Sequence, residues 1–404
     1  MELSGDPAAD GYKSASHLNP FGVQYVRPWP KTINVGHGLV ASRIAQETGL
    51  SKSKIGLRFW PVNHEVKEMR LFLARRVLVA GTYVVLVALA GGAVYQAGAS
   101  RIDMRRNPAP GKLVDIGGFK LHINCKGEGE PTVVFDSGMA DDSIAWYKVQ
   151  PQVAKFIRAC SYDRAGLGWS EPSPNPRTSA TIVKELHSLL RISNISPPYI
   201  LVGHSFGGMN VRLYSHSYPT EVAGLILVDS SSPDQFRFLP PAIQAYNASF
   251  LRRQGYFQAT MLVGWPRISG WCDNWPAEVR DQRRATECRR QPWVTHLAEY
   301  ESFDESSREV AKASKLGSLP LIVLSHDTSA PGPTATAWMT MQKNLAKLSS
   351  RGVLEIVPGG THNLQEDHPG PVIDAARSEV EEVCRGRHNC GAGTIPSKPG
   401  FLQQ

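Results

Sequence analysis

A chain of 404 residues, 42% hydrophobic and 20% charged, is long enough for one large core with an appendage. Its formal charge of +8 is unevenly spread, because residues 1–76 hold 11 Lys/Arg against 6 Asp/Glu while the remainder holds 33 against 30. The larger part is therefore nearly neutral and carries no stripe for nucleic acid.

In chain order, residues 1–68 mix Pro, Gly and both charges without a sustained period. They are expected to be disordered or, if translation starts at Met69, untranslated; a peptide from residues 1–60 in the native protein would exclude the later start. Met69–Arg76 followed by an apolar run reads as a signal or signal-anchor start. Residues 77–95, VLVAGTYVVLVALAGGAVY, carry no charge. Their length suits a transmembrane helix, and the polar face of a buried core helix is missing. Lys67, Arg70, Arg75 and Arg76 precede the run, and Arg101, Arg105, Arg106 and Lys112 follow it. The positive-inside rule thus gives no orientation. Ala97-Gly98-Ala99 resembles a signal-peptidase site, so secretion after cleavage near Ala99 competes with anchoring, which the length of the run favours.

From Lys112 onward, short β-rich runs alternate with helical ones, the pattern of a mostly parallel sheet covered on both faces. Strands are expected at Phe119–Cys125, Thr132–Phe135, Ala159–Asp163, Tyr199–Gly203, Val222–Val228, Leu319–Ser325 and Gly352–Val357, with helices near Ala180–Leu190 and Pro371–Val383. The domain reading is a core of residues 112–229 and 319–385, a helical cap at 230–318 and a tail at 386–404. The interval from Asp229 to Pro320 is too long for a simple connection. It carries Phe236, Phe238, Tyr246, Phe250, Tyr256, Phe257, Trp265, Trp271, Trp275 and Trp293, which would cover a site or form a small core of their own. Its Arg280, Arg283, Arg284, Arg289 and Arg290 read as a solvated face, with anion binding as the alternative.

Six cysteines pair along the chain: Cys125 with Cys160, Cys272 with Cys288, Cys384 with Cys390. Cys125 and Cys160 fall on strands expected to be neighbours, within disulfide reach. Three local pairs favour an oxidising compartment over six buried thiols. The larger part, from Lys112 on, would then lie outside the cytoplasm, with the N-terminus inside.

The chemistry concentrates at Tyr199-Ile200-Leu201-Val202-Gly203-His204-Ser205-Phe206-Gly207-Gly208, where an apolar strand meets G-x-S-x-G and a helix follows at once. That is the setting of a nucleophile elbow, in which Ser205 projects above the sheet. A serine nucleophile needs a base, which comes last in this chain order. His362 in Gly359-Gly360-Thr361-His362-Asn363 follows the final strand; His204, His326, His122 and His216 are weaker candidates. The orienting acid is Asp327 or Asp229, each at a strand end, with Asp327 slightly favoured and Asp234 a distant third. The oxyanion hole would use the amide of Phe206 and one from the loop at Gly138 and Met139. Asp141 and Asp142 read as N-caps. Asp163–Ser170 lacks the Lys-Ser/Thr of a phosphate cradle; its Trp169, with Trp265 and Trp271 of the cap, would line the substrate pocket.

Taken together, NCKGEGEP, CSYDRAGLGWS, LVGHSFGGMNVRLYSHSYP and LVDSSSPDQ resemble the α/β-hydrolase superfamily over about residues 112–385, most closely its membrane-anchored or secreted bacterial serine hydrolases. The resemblance implies an α/β-hydrolase fold: a mostly parallel eight-stranded sheet flanked by helices, with a helical cap after the sixth strand. It implies a Ser-His-acid mechanism with no metal and no organic cofactor. Ser137-Gly138 stands where His-Gly is common, and Gly360-Thr361-His362 where Gly-His is. The serine argues against the epoxide hydrolases and haloalkane dehalogenases of this fold, which use an aspartate. The expected function is hydrolysis of small-molecule carboxylic esters with apolar acyl or aryl groups, with a membrane partner through residues 77–95 and no nucleic acid. Acyl transfer, amide hydrolysis and non-catalytic binding are the alternatives.

Overall fold

The computed structural model describes residues 64–238, 241–328, 332–385 and 390, without the side chains of residues 64–65, 241–248 and 250–252. The expectations for residues 1–63, for Tyr246 and Phe250, and for most of the tail therefore lie outside the described residues.

The first element is α1, His64–Arg106. No proline interrupts it, and it ends before Asn107-Pro108, where the residue preceding proline disfavours helix. Residues 69–90 are exposed on every side, and the helix is long and apolar enough to cross a membrane.

Eight short strands follow: β1 Lys112–Asp115, β2 Lys120–Lys126, β3 Thr132–Asp136, β4 Ala159–Tyr162, β5 Tyr199–His204, β6 Val222–Val228, β7 Leu321–His326 and β8 Gly352–Val357. They form one sheet in the order β1-β2-β4-β3-β5-β6-β7-β8. The β1–β2 and β2–β4 pairs are antiparallel and the others parallel. The helices between them are α2 Gln150–Val153, α3 Ser179–Ile192, α4 Phe206–Ser217, α5 Gln235–Phe238, α6 Pro241–Leu262, α7 Trp265–Ile268, α8 Arg280–Glu287, α9 Arg290–Glu301, α10 Phe303–Val310, α11 Pro333–Ala346, α12 Leu364–Asp367 and α13 Pro369–Cys384.

The period of two along each strand sorts the core into two layers. Val134, Leu201, Leu225 and Val323 pack with Leu186 of α3, Met209 of α4 and Val310 of α10. Val133, Ile200, Ile226 and Leu324 pack on the other face with Val153 of α2 and Val380 of α13. Both faces are covered, so the central strands read as continuous apolar runs.

The segment between β6 and β7 holds α5 to α10. The disulfide Cys272–Cys288 closes part of it, and Phe257, Trp271, Trp275 and Trp293 form its aromatic cluster with ring centroids 4.3–6.0 Å apart. Of the five arginines there, Arg280 and Arg290 are exposed, as a solvated face would have them, while the other three are engaged within the chain. Arg283 is buried and pairs with Glu287 and Glu366, Arg284 pairs with Asp273, and Arg289 donates to the Gly168 carbonyl. Carboxylates supplied by the same chain fill the positions that an anion would take. The remaining disulfides are Cys125–Cys160, which faces across the β2–β4 register, and Cys384–Cys390.

Candidate active site

Ser205 ends β5 and precedes α4 with φ 50° and ψ −118°, a backbone region that non-glycine residues rarely occupy. Two glycines make the turn possible. A Cβ at Gly203 would lie 2.6 Å from the Gly207 carbonyl oxygen, and one at Gly207 would lie 2.3 Å from that of Asp136. The Ser205 amide donates to the Val228 carbonyl, and the Ser205 carbonyl accepts from Gly208 and Ser231, so the strained residue is tied on both sides.

The loop after β8 brings His362 back over this turn. Its Nε2 lies 3.0 Å from Ser205 Oγ, and its Nδ1 lies 2.6 Å from Asp229 Oδ2. Buried His204 steadies the loop by donating from Nε2 to the His362 carbonyl at 2.8 Å. Burial and the neighbouring His362 charge bring His204 down to about 4, which leaves it a neutral donor.

The acid beside His362 is Asp229. Both ring nitrogens of His362 are engaged by Ser205 and Asp229, which leaves none for Asp327, the residue slightly favoured from the sequence. The reason is where the strands end. β7 pairs with β8 as far as His326 opposite Val357, and the Asp327 amide still donates to the Val357 carbonyl. Asp327 therefore continues the ladder. Asp229 instead leaves β6 through a positive-φ turn (φ 42°). It is buried and surrounded by donors: His326 Nδ1 reaches Oδ2 at 2.8 Å, Trp338 Nε1 of α11 reaches Oδ1 at 2.9 Å, and the His326 amide reaches Oδ1 at 3.2 Å. Burial pushes the Asp229 carboxyl up, but the hydrogen bonds and charges of His326 and His362 outweigh it and hold the group below the ordinary carboxylate range. The Asp229 hydrogen bond raises His326 above its usual value. Sequence reasoning passed over Trp338 altogether and set His326 aside. A histidine one residue before a strand-end aspartate was the signal available.

On the other side of Ser205 stands the loop after β3, held from below by buried Arg164. Its guanidinium donates to the carbonyls of Ser137 and Gly138 at 2.7 and 2.6 Å and to Asp136 Oδ1 at 2.8 Å. Glu299 of α9 completes the clamp, accepting from Arg164 Nε at 2.7 Å and from the Ala140 amide at 3.0 Å. Burial pushes Glu299 up, but Arg164 reverses this and keeps it low. Met139 packs against the core beside this loop, and Phe206, its ring tilted against that of Phe303 with centroids 6.1 Å apart, opens α4, so its amide has no acceptor within the helix. Asp142 caps the short turn at Ser143–Trp146 by accepting from the Ile144 amide. Asp163 accepts from His122 and from the Ser143 and Trp169 amides.

The three tryptophans expected to line a pocket are used elsewhere. Trp169 is buried with Ile144 and Val279 and donates to the Asn107 carbonyl. Trp271 belongs to the aromatic cluster described above, and Trp265 faces α1. None of these contacts reaches Ser205. Trp338 does stand at the site, edge-on to His362 with centroids 5.5 Å apart. Among the described residues no cluster of His, Cys, Asp and Glu is arranged to hold a metal ion.

The sequence profile of the Alpha/beta hydrolase family matches residues 133–375. Among curated proteins, uncharacterized protein YqjL of Bacillus subtilis is 26% identical over 64% of this chain and 87% of its own length. Uncharacterized vacuolar membrane protein YNL115C of Saccharomyces cerevisiae is 27% identical over 30% of this chain, which spans 23% of that protein. Among solved structures, haloalkane dehalogenase DbeA from Bradyrhizobium elkani superposes with a TM-score of 0.55 at 17% identity, covering 67% of this chain and 97% of DbeA, a likeness of fold.

Proposed function

The chain belongs to the alpha/beta hydrolase family, and we propose that it is a serine hydrolase of carboxylic esters, anchored in a membrane by α1 with its catalytic part outside the cytoplasm. The observation that carries this reading is the continuous contact Ser205–His362–Asp229, at 3.0 and 2.6 Å. Those separations suit proton transfer along the chain of groups. Ser205 Oγ attacks the ester carbonyl carbon as its proton passes to His362 Nε2. The tetrahedral oxyanion is met by the amides of Phe206 and Met139. The C–O bond then breaks, and His362 gives its proton to the leaving alkoxide. Water enters, gives a proton to His362 and adds to the acyl carbon; Ser205 departs with that proton and the acid is released. Asp229 holds the His362 tautomer and stabilises its cation.

Phe206, next to Ser205 in the chain, meets Phe303, which meets Phe236, and such apolar surroundings would favour an apolar acyl or aryl group. Three disulfides favour an oxidising compartment. The test is labelling of the full-length protein in detergent by a fluorophosphonate, with p-nitrophenyl esters of increasing acyl length assayed alongside. Labelling and hydrolysis in the wild type, both lost in Ser205→Ala and His362→Ala, are expected. A folded wild type that neither labels nor hydrolyses any ester would overturn the reading.

A further inference from the structure

The cap touches α1 in two ways, and the change from one to the other falls within a single turn of the helix. At Gly92 the two backbones are in contact, since a Cβ there would lie 2.4 Å from the Val263 carbonyl oxygen. Gly264, at φ +73°, lets the chain turn tightly beside Tyr95, and a Cβ on it would stand 3.0 Å from that ring. Here the contacts are apolar. Val85, Leu89 and Tyr95 of α1 and Val263, Trp265 and Ile268 of the cap line a groove of about 540 Å³. Four residues beyond Gly92 the contacts become polar. Gln96 is buried and accepts from Arg267 Nε at 3.0 Å, its own amide donates to the Cys288 carbonyl at 2.8 Å, and Arg267 pairs with Asp103.

The apolar contacts fall inside the uncharged stretch between Arg76 and Arg101. At about 1.5 Å per residue, Gly92 lies about 13 Å from Arg101 along the axis, and a hydrocarbon leaflet is about 15 Å deep. A helix that carries Val85 to Gly92 through hydrocarbon takes Val263 with it. The cap is built for that environment. Leu262, Trp265 and Ile268 at the α6–α7 corner are 52%, 58% and 61% exposed, apolar side chains that hydrocarbon would cover. Arg267, in contrast, is withdrawn from the lipid side and neutralised by Asp103.

We propose that the α6–α7 corner inserts into the same leaflet as the second half of α1, and that the groove between them holds an acyl chain of a bilayer lipid. This rests on the reading that α1 crosses a membrane, and it deepens the proposed function by making the catalytic part a neighbour of lipid esters.

The test uses the full-length protein in phosphatidylcholine vesicles, with nitroxides on single introduced cysteines and power saturation against oxygen and a water-soluble nickel chelate. Ala88→Cys reports the span where it lines the groove, Ile268→Cys the corner, and Asp281→Cys, exposed on α8, the water level. Phosphatidylcholine with a diazirine on its acyl chain is photolysed in the same vesicles, and the labelled peptides are mapped. The expected result is several-fold lower chelate accessibility at both Ala88→Cys and Ile268→Cys than at Asp281→Cys, with label on both 85–95 and 262–268. A lipid-exposed Ala88→Cys beside a water-exposed Ile268→Cys overturns insertion of the corner while leaving the span intact. Label on α1 alone overturns the groove as an acyl site. A water-exposed Ala88→Cys removes the span, and the inference with it.

Discussion

The two walls around Ser205 are built from different parts of the molecule. The acid wall, Asp229 with His326, Trp338 and His362, comes from the ends of β6 and β7, the loop after β8, and α11, all elements of the core. The oxyanion wall, the loop after β3, is fixed by Arg164, which in turn is held by Glu299 from the cap. On the proposed mechanism, proton transfer would be organised by the core alone, whereas stabilisation of the oxyanion would depend on the cap sitting correctly.

The comparison is tested most severely on the acid wall. Asp229→Asn is expected to lower kcat by about 10⁴-fold, the scale seen when a triad acid is neutralised, while Asp327→Asn changes it little; comparable losses in the two would assign the acid wrongly. Next comes the cap's hold on the oxyanion wall. Glu299→Gln keeps an acceptor for the Ala140 amide but leaves the Arg164 charge half paired. It should lower kcat by about 10- to 100-fold, less than the loss on removing an oxyanion donor outright, and lower stability by about 3 kcal/mol. If stability falls with kcat intact, the clamp serves the fold and not the reaction. The smallest effect belongs to His326→Gln, a loss of about one hydrogen bond, below tenfold in kcat. It also carries a pH signature. His326 is raised in the folded state, so its contribution to stability is complete below pH 6.5 and fades as the pH rises through the raised value. The stability gap between wild type and His326→Gln should therefore be larger at pH 5.5 than at pH 8.5, as urea unfolding would measure.

What could be read from the sequence was local. An apolar run meeting Gly203-His204-Ser205-Phe206-Gly207 specifies its own turn, because the glycines leave room for close packing, and a mostly parallel sheet covered on both faces followed from alternating runs whose period is set by their own residues, while its eight strands and α/β-hydrolase topology followed from the family resemblance. The contact of Ser205 with His362 followed from chain order. The partnership of His362 with Asp229 did not. Asp229 and Asp327 both stand at ends of neighbouring strands, and the choice between them is made by how far β7 stays paired with β8, a long-range property. The tryptophans were misplaced for a related reason. Composition marks Trp265 and Trp271 as apolar side chains of the cap, but not whether each joins the cap's own cluster, stands exposed beside α1 or lines a pocket. Arg164 was equally hidden, since a buried arginine is recognisable only once Asp136 and Glu299 are brought to it.

The Cys125–Cys160 bond adds one more asymmetry. The covalent ring it closes, with a sequence separation of 35, contains β3 and the whole loop of Ser137 to Asp142; Ser205, Asp229 and His362 all lie outside it. Such a ring stabilises a fold by about 4 kcal/mol through the entropy it removes from the unfolded chain. Thiol chemistry is thereby a variable of one wall only. On the proposed mechanism, a reductant that opened this ring would loosen the seat of the oxyanion while leaving Ser205, His362 and Asp229 in register, a protein still phosphonylated at Ser205 by a reactive fluorophosphonate yet slow on an ordinary ester.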